Sequence, residues 1–203
     1  MSLIDLSVIV NEHTPVYPGD PTVKIEQVGV LDRDGYIDHI VSMDTHTGTH
    51  IDAPLHMLKD GKSLDKFSPD KFVGRGRYVN VSEGFNIDIL VQAKIEEGDI
   101  VLFHTGMSDH FYESAYYESY PAMSEEIAQY LIEHKVKMVG LDTGSADNVD
   151  GFPIHKLLLG ADILIIENVS NLDTLAGKDF TVYALPMKLQ LDGSPARVFA
   201  ELN

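Results

Sequence analysis

The chain has 203 residues, of which 44% are hydrophobic, so residues 1–203 are predicted to form a single domain with a core of its own. Its 32 acidic and 15 basic residues give a formal net charge of −17, and such a surface repels nucleic acids and anionic membranes. The absence of cysteine excludes disulfides and thiolate metal ligands, and since no apolar run approaches the ~20 residues of a membrane span, we expect a cytoplasmic protein.

Three strands and a proline-rich loop are predicted in the first part of the chain. A strand over 3–10 is followed by a loop over 11–21, in which Tyr-Pro-Gly-Asp-Pro at 17–21 forms a rigid turn. Tyr17 is interpreted either as an aromatic wall of a binding site or as a surface residue of a plain connector. Two further strands are predicted over 22–31 and 36–44, joined by a turn at 32–35.

The next segment, residues 45–56, has the spacing of a metal site. Three of the nine histidines and one aspartate lie within it, as H-x-x-x-H-x-D-x-x-x-H. Imidazole and carboxylate are the ligands of Zn²⁺, Mn²⁺ and Fe²⁺ sites that keep a position open for water. Gly48 and a proline disfavour a helix, and a straight strand would hold His46 and His50 about 13 Å apart. We therefore predict an extended segment bent at Gly48, with His50 and Asp52 on one strand face and His56 just beyond.

The middle of the chain alternates strands and helices. A strand is predicted over 77–81, a helix over 87–95 with Asn86 or Asp88 as its cap, and a strand over 100–103. Residues 107–122 are loop-like and rich in tyrosine. The clearest helix covers 124–135, with Ser124 as its cap and two glutamates in its first turn, and a strand over 136–142 follows.

A second informative stretch covers residues 153–168. Pro153 can open a helix that carries His155 in its first turn and ends at Gly160. The following strand, 163–166, is apolar throughout, which indicates burial on both faces. Glu167 ends it, and this carboxylate either emerges into solvent or is a metal ligand with His155 as its companion. Strands near 179–185 and 195–202 complete an α/β pattern.

These segments resemble the metal-dependent cyclase family, the hydrolases that include bacterial kynurenine formamidases and isatin hydrolases. Residues 46–56 are similar to the sequence segment that is the hallmark of this family. Further similar segments are Tyr-Pro-Gly-Asp at 17–20, Val-Gly at 73–74, Thr-Gly at 105–106, Gly-Leu-Asp-Thr at 140–143, Glu-Asn at 167–168 and Asp-Gly-Ser-Pro at 192–195. The resemblance therefore covers almost the whole chain.

The resemblance implies a single-domain swivelling β/β/α fold, in which a curled mixed sheet surrounds a central metal site and helices pack outside. It implies one or two divalent ions per chain, with zinc expected and manganese as the alternative. His46, His50 and Asp52 would bind the first ion, and Asp52 would bridge to a second ion held by His155 and Glu167. His56 would move protons beside them. The implied metal ligands are His46, His50, Asp52, His155 and Glu167.

The expected activity is metal-dependent hydrolysis of a small carboxamide or cyclic amide, with an aryl formamide as the leading specific substrate. The kynurenine formamidases typically have tryptophan where Tyr17 stands and a second histidine where Lys156 stands, and these two differences concern the substrate. Neither a Gly-x-Ser-x-Gly elbow nor an H-E-x-x-H helix occurs in the sequence. The alternatives are a metal-dependent cyclase or lyase and a non-catalytic metal-binding or ligand-binding protein. A homo-oligomer, dimer or tetramer, is also implied.

Overall fold

The computed structural model describes residues 2–113 and 115–203, so two residues of the predicted domain, 1 and 114, lie outside the described ranges. Ten strands form in this part of the chain: β1 (Ser2–Asp5), β2 (Lys24–Gly29), β3 (Asp38–Ser42), β4 (His50–Asp52), β5 (Val73–Asn80), β6 (Ile100–His104), β7 (Met138–Leu141), β8 (Leu164–Glu167), β9 (Phe180–Pro186) and β10 (Gly193–Leu202). The helices are α1 (Leu31–Asp34), α2 (Ile87–Gln92), α3 (Glu125–Glu133) and α4 (Pro153–Gly160). Single 3₁₀ turns lie at Pro54–His56, Leu64–Lys66, Pro69–Phe72, Met107–His110 and Leu172–Leu175.

Seven of these strands close into a barrel. Their order is β10–β4–β8–β7–β6–β5–β9, and β9 pairs back onto β10. Strands β5 to β8 run parallel to one another, whereas the remaining junctions of the ring are antiparallel. Strand β1 pairs with the second half of β10. The predicted α/β class with a curled mixed sheet is confirmed.

The interior of the barrel is apolar. Successive residues of a strand point to opposite faces, and the inward-facing ones include Ile51, Leu102 and Ile166. Outward-facing residues of β5 to β8, such as Phe103 and Ile165, pack together with α2, α3 and α4. Because both faces of β6, β7 and β8 are covered, these strands are continuous apolar runs, as the sequence predicts for 163–166.

Strand β5 begins earlier than the sequence pattern indicates, at Val73 and not at Arg77. Its first half contains Gly76, which interrupts the apolar alternation. A Cβ atom at this position would lie 1.9 Å from Cε2 of the Phe180 ring. A side chain at position 76 would overlap the buried Phe180 ring inside the barrel, and glycine avoids this overlap.

The start of the chain is less regular than predicted. Strand β1 ends at Asp5, and beyond it Ser7 forms an isolated bridge with Val169. The turn predicted at 32–35 is the short helix α1, which Gly35 closes in the left-handed conformation, at φ 78°.

The helix signals in the sequence are confirmed. The side chains of Asn86 and Ser124 accept hydrogen bonds from the backbone of the first turns of α2 and α3. Helix α4 begins at Pro153 and ends at Gly160, as predicted. Both α2 and α3 end two or more residues before their predicted limits. Within the described residues, no helix combines the length and apolar character that crossing a membrane requires.

Strands β2 and β3 form a sheet of their own, and within residues 2–113 and 115–203 they pair with each other only. We call residues 24–43, which include α1, the hairpin arm. Most of its side chains are exposed on both faces of the two-stranded sheet. The large exposed hydrophobic residues of the arm are Val28, Val30, Leu31, Tyr36, Ile37, Ile40, Val41 and Met43.

Candidate metal centre

The histidine-rich segment bends where the sequence predicts. Gly48 adopts the left-handed conformation, at φ 64°, and a Cβ atom there would lie 2.9 Å from Cγ2 of Val10. Strand β4 starts two residues later. His50 and Asp52 share one face of this strand, as predicted, and both side chains are buried.

The candidate site lies on the outer face of the barrel wall. The antiparallel register of β4 and β8 places His50 beside Glu167, and Ile51 points into the apolar interior. His50 and Asp52 therefore project outward, towards helix α4, which carries His155. The resemblance implied a site at the centre of the curled sheet. The site lies instead between the barrel wall and α4, because apolar side chains fill the barrel axis.

The Asp52 carboxylate is the centre of the cluster. Its Oδ1 lies 2.7 Å from Nδ1 of His46 and 3.3 Å from Nε2 of His50. Its Oδ2 lies 3.5 Å from Nε2 of His155. One wholly buried carboxylate thus meets three imidazoles, two from its own segment and one from α4.

The Glu167 carboxylate joins the same cluster. Its Oε1 lies 3.1 Å from Nε2 of His155 and accepts a hydrogen bond from the backbone N–H of Ala146, and its Oε2 lies 3.5 Å from Nε2 of His50. Glu167 is buried and does not emerge into solvent. Of the two interpretations of this residue, the structure favours the one in which His155 is its companion.

Two buried atoms of the cluster, Nε2 of His50 and Oδ2 of Asp52, have no hydrogen-bond partner among the described residues. The other ring nitrogen of His50 lies 2.8 Å from the carbonyl oxygen of Gly48. When this carbonyl accepts the Nδ1 proton, the lone pair of Nε2 points into the cluster. Buried polar atoms without partners are costly. Because a divalent cation would satisfy both atoms, the donor set fits such an ion.

The electrostatics of the cluster agree with this fit. Burial opposes protonation of His46 and His50, but the neighbouring carboxylates together outweigh burial and raise their pKa values to about 9 and about 10. Asp52 contributes most to both, with Asp192 adding to the effect at His46 and Glu167 at His50. Burial likewise opposes ionisation of Asp52 and Glu167, yet the surrounding imidazoles hold the pKa of each carboxyl below its ordinary value. Each positive charge is thus stabilised by a buried carboxylate, and a divalent ion would take the place of the histidine protons.

Among the described residues, two sets of donors are close enough to hold an ion, with the donor atoms of each set within 4.8 Å of one another. One set is His46, Asp52 and His56, and the other is His50, Asp52 and Glu167. The resemblance implied that His46 and His50 bind the same ion, whereas here they belong to different sets. Asp52 belongs to both, which fits a bridging carboxylate.

His56 lies at the edge of the cluster and is partly exposed. Its ring centroid is 4.0 Å from that of His46, and its Nδ1 is 3.4 Å from Oδ2 of Asp192. Burial lowers the pKa of His56, and the attraction of Asp52 only partly offsets this effect. Asp192 also lies 2.9 Å from Nε2 of His46 and so contacts both histidines.

A cavity of about 420 Å³ opens above the histidines. His46, His50, His56, His155 and Glu167 line its floor. Tyr17, Tyr117 and Phe152, which we call the aromatic wall, line one part of it, and the rings of Tyr17 and Tyr117 meet edge to face at 5.7 Å. The structure therefore places Tyr17 at the candidate site.

Most of the tyrosine-rich stretch has a different role. The Tyr116 ring is buried, and its hydroxyl donates to the Asn168 side chain, whereas the hydroxyl of Tyr120 donates to the Asp147 carbonyl oxygen. Of the residues described in this stretch, Tyr117 is the one that lines the cavity. The space for its ring depends on Gly144, where a Cβ atom would lie 2.2 Å from Cε1 of Tyr117.

Sequence reasoning missed two carboxylates of the site. Asp147 contacts His155, and Asp192 contacts His46 and His56. Asp192 belongs to the Asp-Gly-Ser-Pro segment of the resemblance, which was a usable signal. Asp147 follows the Gly-Leu-Asp-Thr segment in an ordinary loop, and nothing in its spacing relates it to His155.

Comparison with known proteins gives a consistent result. A family model described as "Putative cyclase" (Cyclase) matches residues 4–148. A kynurenine formamidase from Bacillus cytotoxicus is 34% identical over 200 residues, covering 96% of this chain and 94% of the relative. The chain belongs to the cyclase family.

Two solved structures extend this similarity. Isatin hydrolase A from Ralstonia solanacearum has a TM-score of 0.88 and 26% identity, covering 98% of this chain and 91% of the other. A "predicted metal-dependent hydrolase" from Bacillus stearothermophilus has a TM-score of 0.81 and 31% identity, covering 98% and 97%. The family model ends before His155 and Glu167, but the matches over nearly the whole chain of this cyclase-family protein include both residues.

Proposed function

We propose that this cyclase-family protein is a metal-dependent hydrolase of a small carboxamide or cyclic amide, with aryl formamides as the leading substrate class. The observation that carries the proposal is the pair of unpartnered, buried donors, Nε2 of His50 and Oδ2 of Asp52, beneath a cavity that His56 also lines. Relatives named as a formamidase, an isatin hydrolase and a metal-dependent hydrolase support the same reaction type.

The residues that would hold the metal are His46, His50, Asp52, His155 and Glu167. Zinc is the proposed ion and manganese the alternative, because imidazole and carboxylate donors suit both. An ion bound there supplies a Lewis acid that polarises a carbonyl oxygen and lowers the pKa of a bound water. Asp52 and Glu167 would bind the ion as carboxylates, because charged imidazoles lower their pKa values when the metal is absent and the positive charge of the ion would do so when it is bound.

His56 is the proposed proton carrier. Because burial lowers its pKa, the ring is neutral at neutral pH and can accept a proton. The Asp192 carboxylate near Nδ1 favours a proton on that nitrogen and leaves Nε2 as the basic atom. Nε2 would accept a proton from the attacking water and deliver it to the leaving nitrogen.

The aromatic wall is the proposed contact for a flat ring. Tyr17, Tyr117 and Phe152 offer apolar surface beside the histidines, and aromatic side chains favour such contacts. Lys156, which differs from the formamidase pattern, is exposed and does not line the cavity. The difference at this position therefore leaves the described cavity unchanged.

The function is tested by turnover of an amide panel with metal-free, zinc-loaded and manganese-loaded protein. Formanilide, a fused-ring lactam and an acyclic aliphatic formamide form the panel. We expect metal-dependent hydrolysis, with both aromatic substrates faster than the aliphatic one. Equal or faster hydrolysis of the aliphatic formamide would contradict the aromatic wall, and no turnover of any amide with either metal would contradict the proposed function.

We also propose that the protein assembles as a homo-oligomer through the hairpin arm. A two-stranded sheet is at best marginally stable alone in water, and this one exposes both faces. The arm holds eight of the 18 large exposed hydrophobic residues found in the described chain. Such a segment needs a permanent partner, and a second copy of the chain is present wherever the first copy is made.

A further inference from the structure

Asn168, the residue after β8, joins the end of this strand to the histidine-rich segment. Its side chain is buried, and its backbone is in the left-handed conformation, at φ 56°. The backbone N–H of Asn168 donates to the carbonyl oxygen of Thr143, and its carbonyl oxygen accepts the Thr49 hydroxyl at 2.6 Å. These hydrogen bonds fix the backbone from which the amide side chain extends.

The amide of Asn168 has a partner at each end. Nδ2 donates to the carbonyl oxygen of Gly48 at 2.9 Å, and Oδ1 accepts the hydroxyl of the buried Tyr116 at 2.9 Å. This hydroxyl also lies 3.1 Å from the carbonyl oxygen of Asp142. A carbonyl oxygen can only accept, so reversing the amide would place its oxygen against that of Gly48. The two partners therefore determine the orientation of the Asn168 amide.

The Gly48 carbonyl oxygen receives a second donor, Nδ1 of His50, at 2.8 Å. Its two lone pairs can serve the Asn168 amide and the imidazole at once. With a proton held on Nδ1, the nitrogen of His50 that remains for an ion is Nε2, which is buried and has no partner among the described residues. The direction of one backbone carbonyl thus determines which ring nitrogen of His50 is available for binding.

The peptide group between Gly48 and Thr49 needs a contact that holds it. Gly48 has no Cβ atom and lies at φ 64°, in a region of backbone angles that glycine adopts and leaves easily. If this peptide group turned over, its N–H would replace the carbonyl beside Nδ1 of His50. Nδ1 would then accept, the proton of the neutral ring would lie on Nε2, and that atom could not bind an ion. The Asn168 amide opposes this rotation because it would lose its acceptor.

We propose that Asn168 is a positioning residue of the metal centre, and that its amide, oriented by Tyr116, holds the Gly48 carbonyl against Nδ1 of His50. This inference rests on the proposed function, in which His50 is a metal ligand. Asn168 acts through the peptide group of Gly48 and not by contact with an ion. The proposal also gives Tyr116, from the tyrosine-rich stretch, a role at the site.

Asn168→Gly tests the amide. Glycine adopts the left-handed backbone without strain, so the substitution removes the side chain and keeps the local conformation. Zinc affinity, measured by competition with a chelator, should fall by roughly 10–100-fold. The matched control is Asn171→Gly, because Asn171 also has φ 56° and also donates from Nδ2 to a distant carbonyl oxygen, that of Asp5. Asn171 is exposed and does not line the cavity, so the control should keep the wild-type affinity.

Proton exchange at the imidazoles distinguishes positioning from a general loss of structure. Long-range ¹H–¹⁵N NMR spectra at saturating zinc follow the Nδ1 protons of His50 and His155. Asn168→Gly should speed exchange of the His50 proton with solvent by about tenfold or more, because its acceptor is no longer held. The His155 proton, whose Nδ1 lies 2.7 Å from the Asp147 carboxylate, should keep its exchange rate.

Tyr116→Phe removes one hydroxyl and should weaken zinc binding by about 3–10-fold, the usual effect of one hydrogen bond. Combined with Asn168→Gly it should weaken binding no further, because Tyr116 acts through the amide. If Asn168→Gly does not fold, Tyr116→Phe decides by the same two measurements. Unchanged zinc affinity, or equally faster exchange at His50 and His155, would overturn the inference and leave the proposed function standing. A wild-type protein that binds no zinc would contradict both.

Discussion

The Asp147 carboxylate orients the imidazole of His155. Its Oδ2 lies 2.7 Å from Nδ1 of His155, and the same carboxylate accepts the backbone N–H groups of Ile154 and His155 in the first turn of α4. The ring is thereby turned so that its Nε2 lies 3.1 Å from Oε1 of Glu167. One loop carboxylate both caps the helix and aims a proposed metal ligand into the site.

Asp147→Asn tests this positioning role. An asparagine oxygen can still accept the helix N–H groups, but the neutral amide no longer favours a proton on Nδ1 of His155. We expect metal affinity to fall by roughly 10–100-fold, the usual cost of removing a group that orients a ligand, while the fold is kept. Affinity is measured by competition with a chelator, and far-ultraviolet circular dichroism checks the fold. Unchanged affinity would show that α4 alone positions His155.

The roles of His50 and His56 are separated by their effects on metal content. His50 has a buried, unpartnered Nε2, whereas His56 is partly exposed at the cavity edge. His56→Ala should keep its metal and lose roughly 10²–10⁴-fold in turnover, the range for removal of a general acid–base group. His50→Ala should lose the ion of the donor set that it shares with Glu167, and the activity with it.

Elemental analysis of both variants makes this comparison decisive. His56 also belongs to one of the two donor sets, with His46 and Asp52. If His56→Ala is as poor in metal as His50→Ala, then His56 is a ligand and the proposed proton transfer is wrong. His110→Ala is a suitable control, because this histidine is exposed and lies outside the cavity.

The number of ions depends on Asp52, which both donor sets share. A bridging carboxylate holds two ions about 3.5–4 Å apart. Glu167→Gln should then lower the metal content from two ions per chain towards one, because the other ion would keep His46 and Asp52, which this substitution does not change. Inductively coupled plasma mass spectrometry after saturation and desalting measures the content. A wild-type protein that never exceeds one ion per chain would contradict the two-ion site.

The site was largely predictable from sequence because its ligands are concentrated in segments with strong local signals. Gly48 and the alternation of β4 determine where His50 and Asp52 point, and an apolar strand leads directly to Glu167. Contacts between distant segments were not predictable. Asp192 reaches His46 across 146 positions of sequence, through the pairing of β10 with β4, and a single sequence contains no register for that pairing.

For the fold too, the sequence predicts features that depend on neighbouring residues and does not predict those that depend on contacts between distant segments. Single residues were enough to predict where three helices begin: the capping side chains of α2 and α3 and the first proline of α4. The early start of β5 was not, since Gly76 is there for the ring of Phe180, which lies about a hundred positions later. Closure of the sheet, which places the site on the outer wall, likewise depends on the pairing of β9 with β10.

The hairpin arm gives a prediction about assembly. Ile40 and Val41 are exposed neighbours on opposite faces of β3. The double variant Ile40→Asp, Val41→Asp places a charge on each face and should convert the oligomer into monomers. Light scattering coupled to gel filtration measures the mass. Val91→Asp, at an exposed hydrophobic residue of α2, is the matched control and should keep the oligomer. A monomeric wild-type protein would contradict the proposed assembly.

The pH dependence of metal binding follows from the histidines of the cluster. Because the neighbouring carboxylates, chiefly Asp52, raise the pKa of His46 to about 9 and that of His50 to about 10, both rings carry protons at neutral pH when no metal is bound. A metal ion binds the deprotonated ring, so protons compete with it and are released on binding. Raising the pH between 6 and 8 should therefore strengthen metal binding, by about tenfold per pH unit for each proton released. The dependence should weaken towards pH 10, as His46 and His50 lose their protons. The pKa of His155 is raised as well, by Asp147, Asp52 and Glu167, so its proton adds to the dependence. Chelator competition across this range measures the slope, and calorimetry in buffers of different ionisation enthalpy counts the protons.

His110→Gln removes an exposed histidine whose pKa Glu113 raises, and this control should leave the slope unchanged. An affinity that stays constant between pH 6 and 8 would show that the cluster holds no such protons.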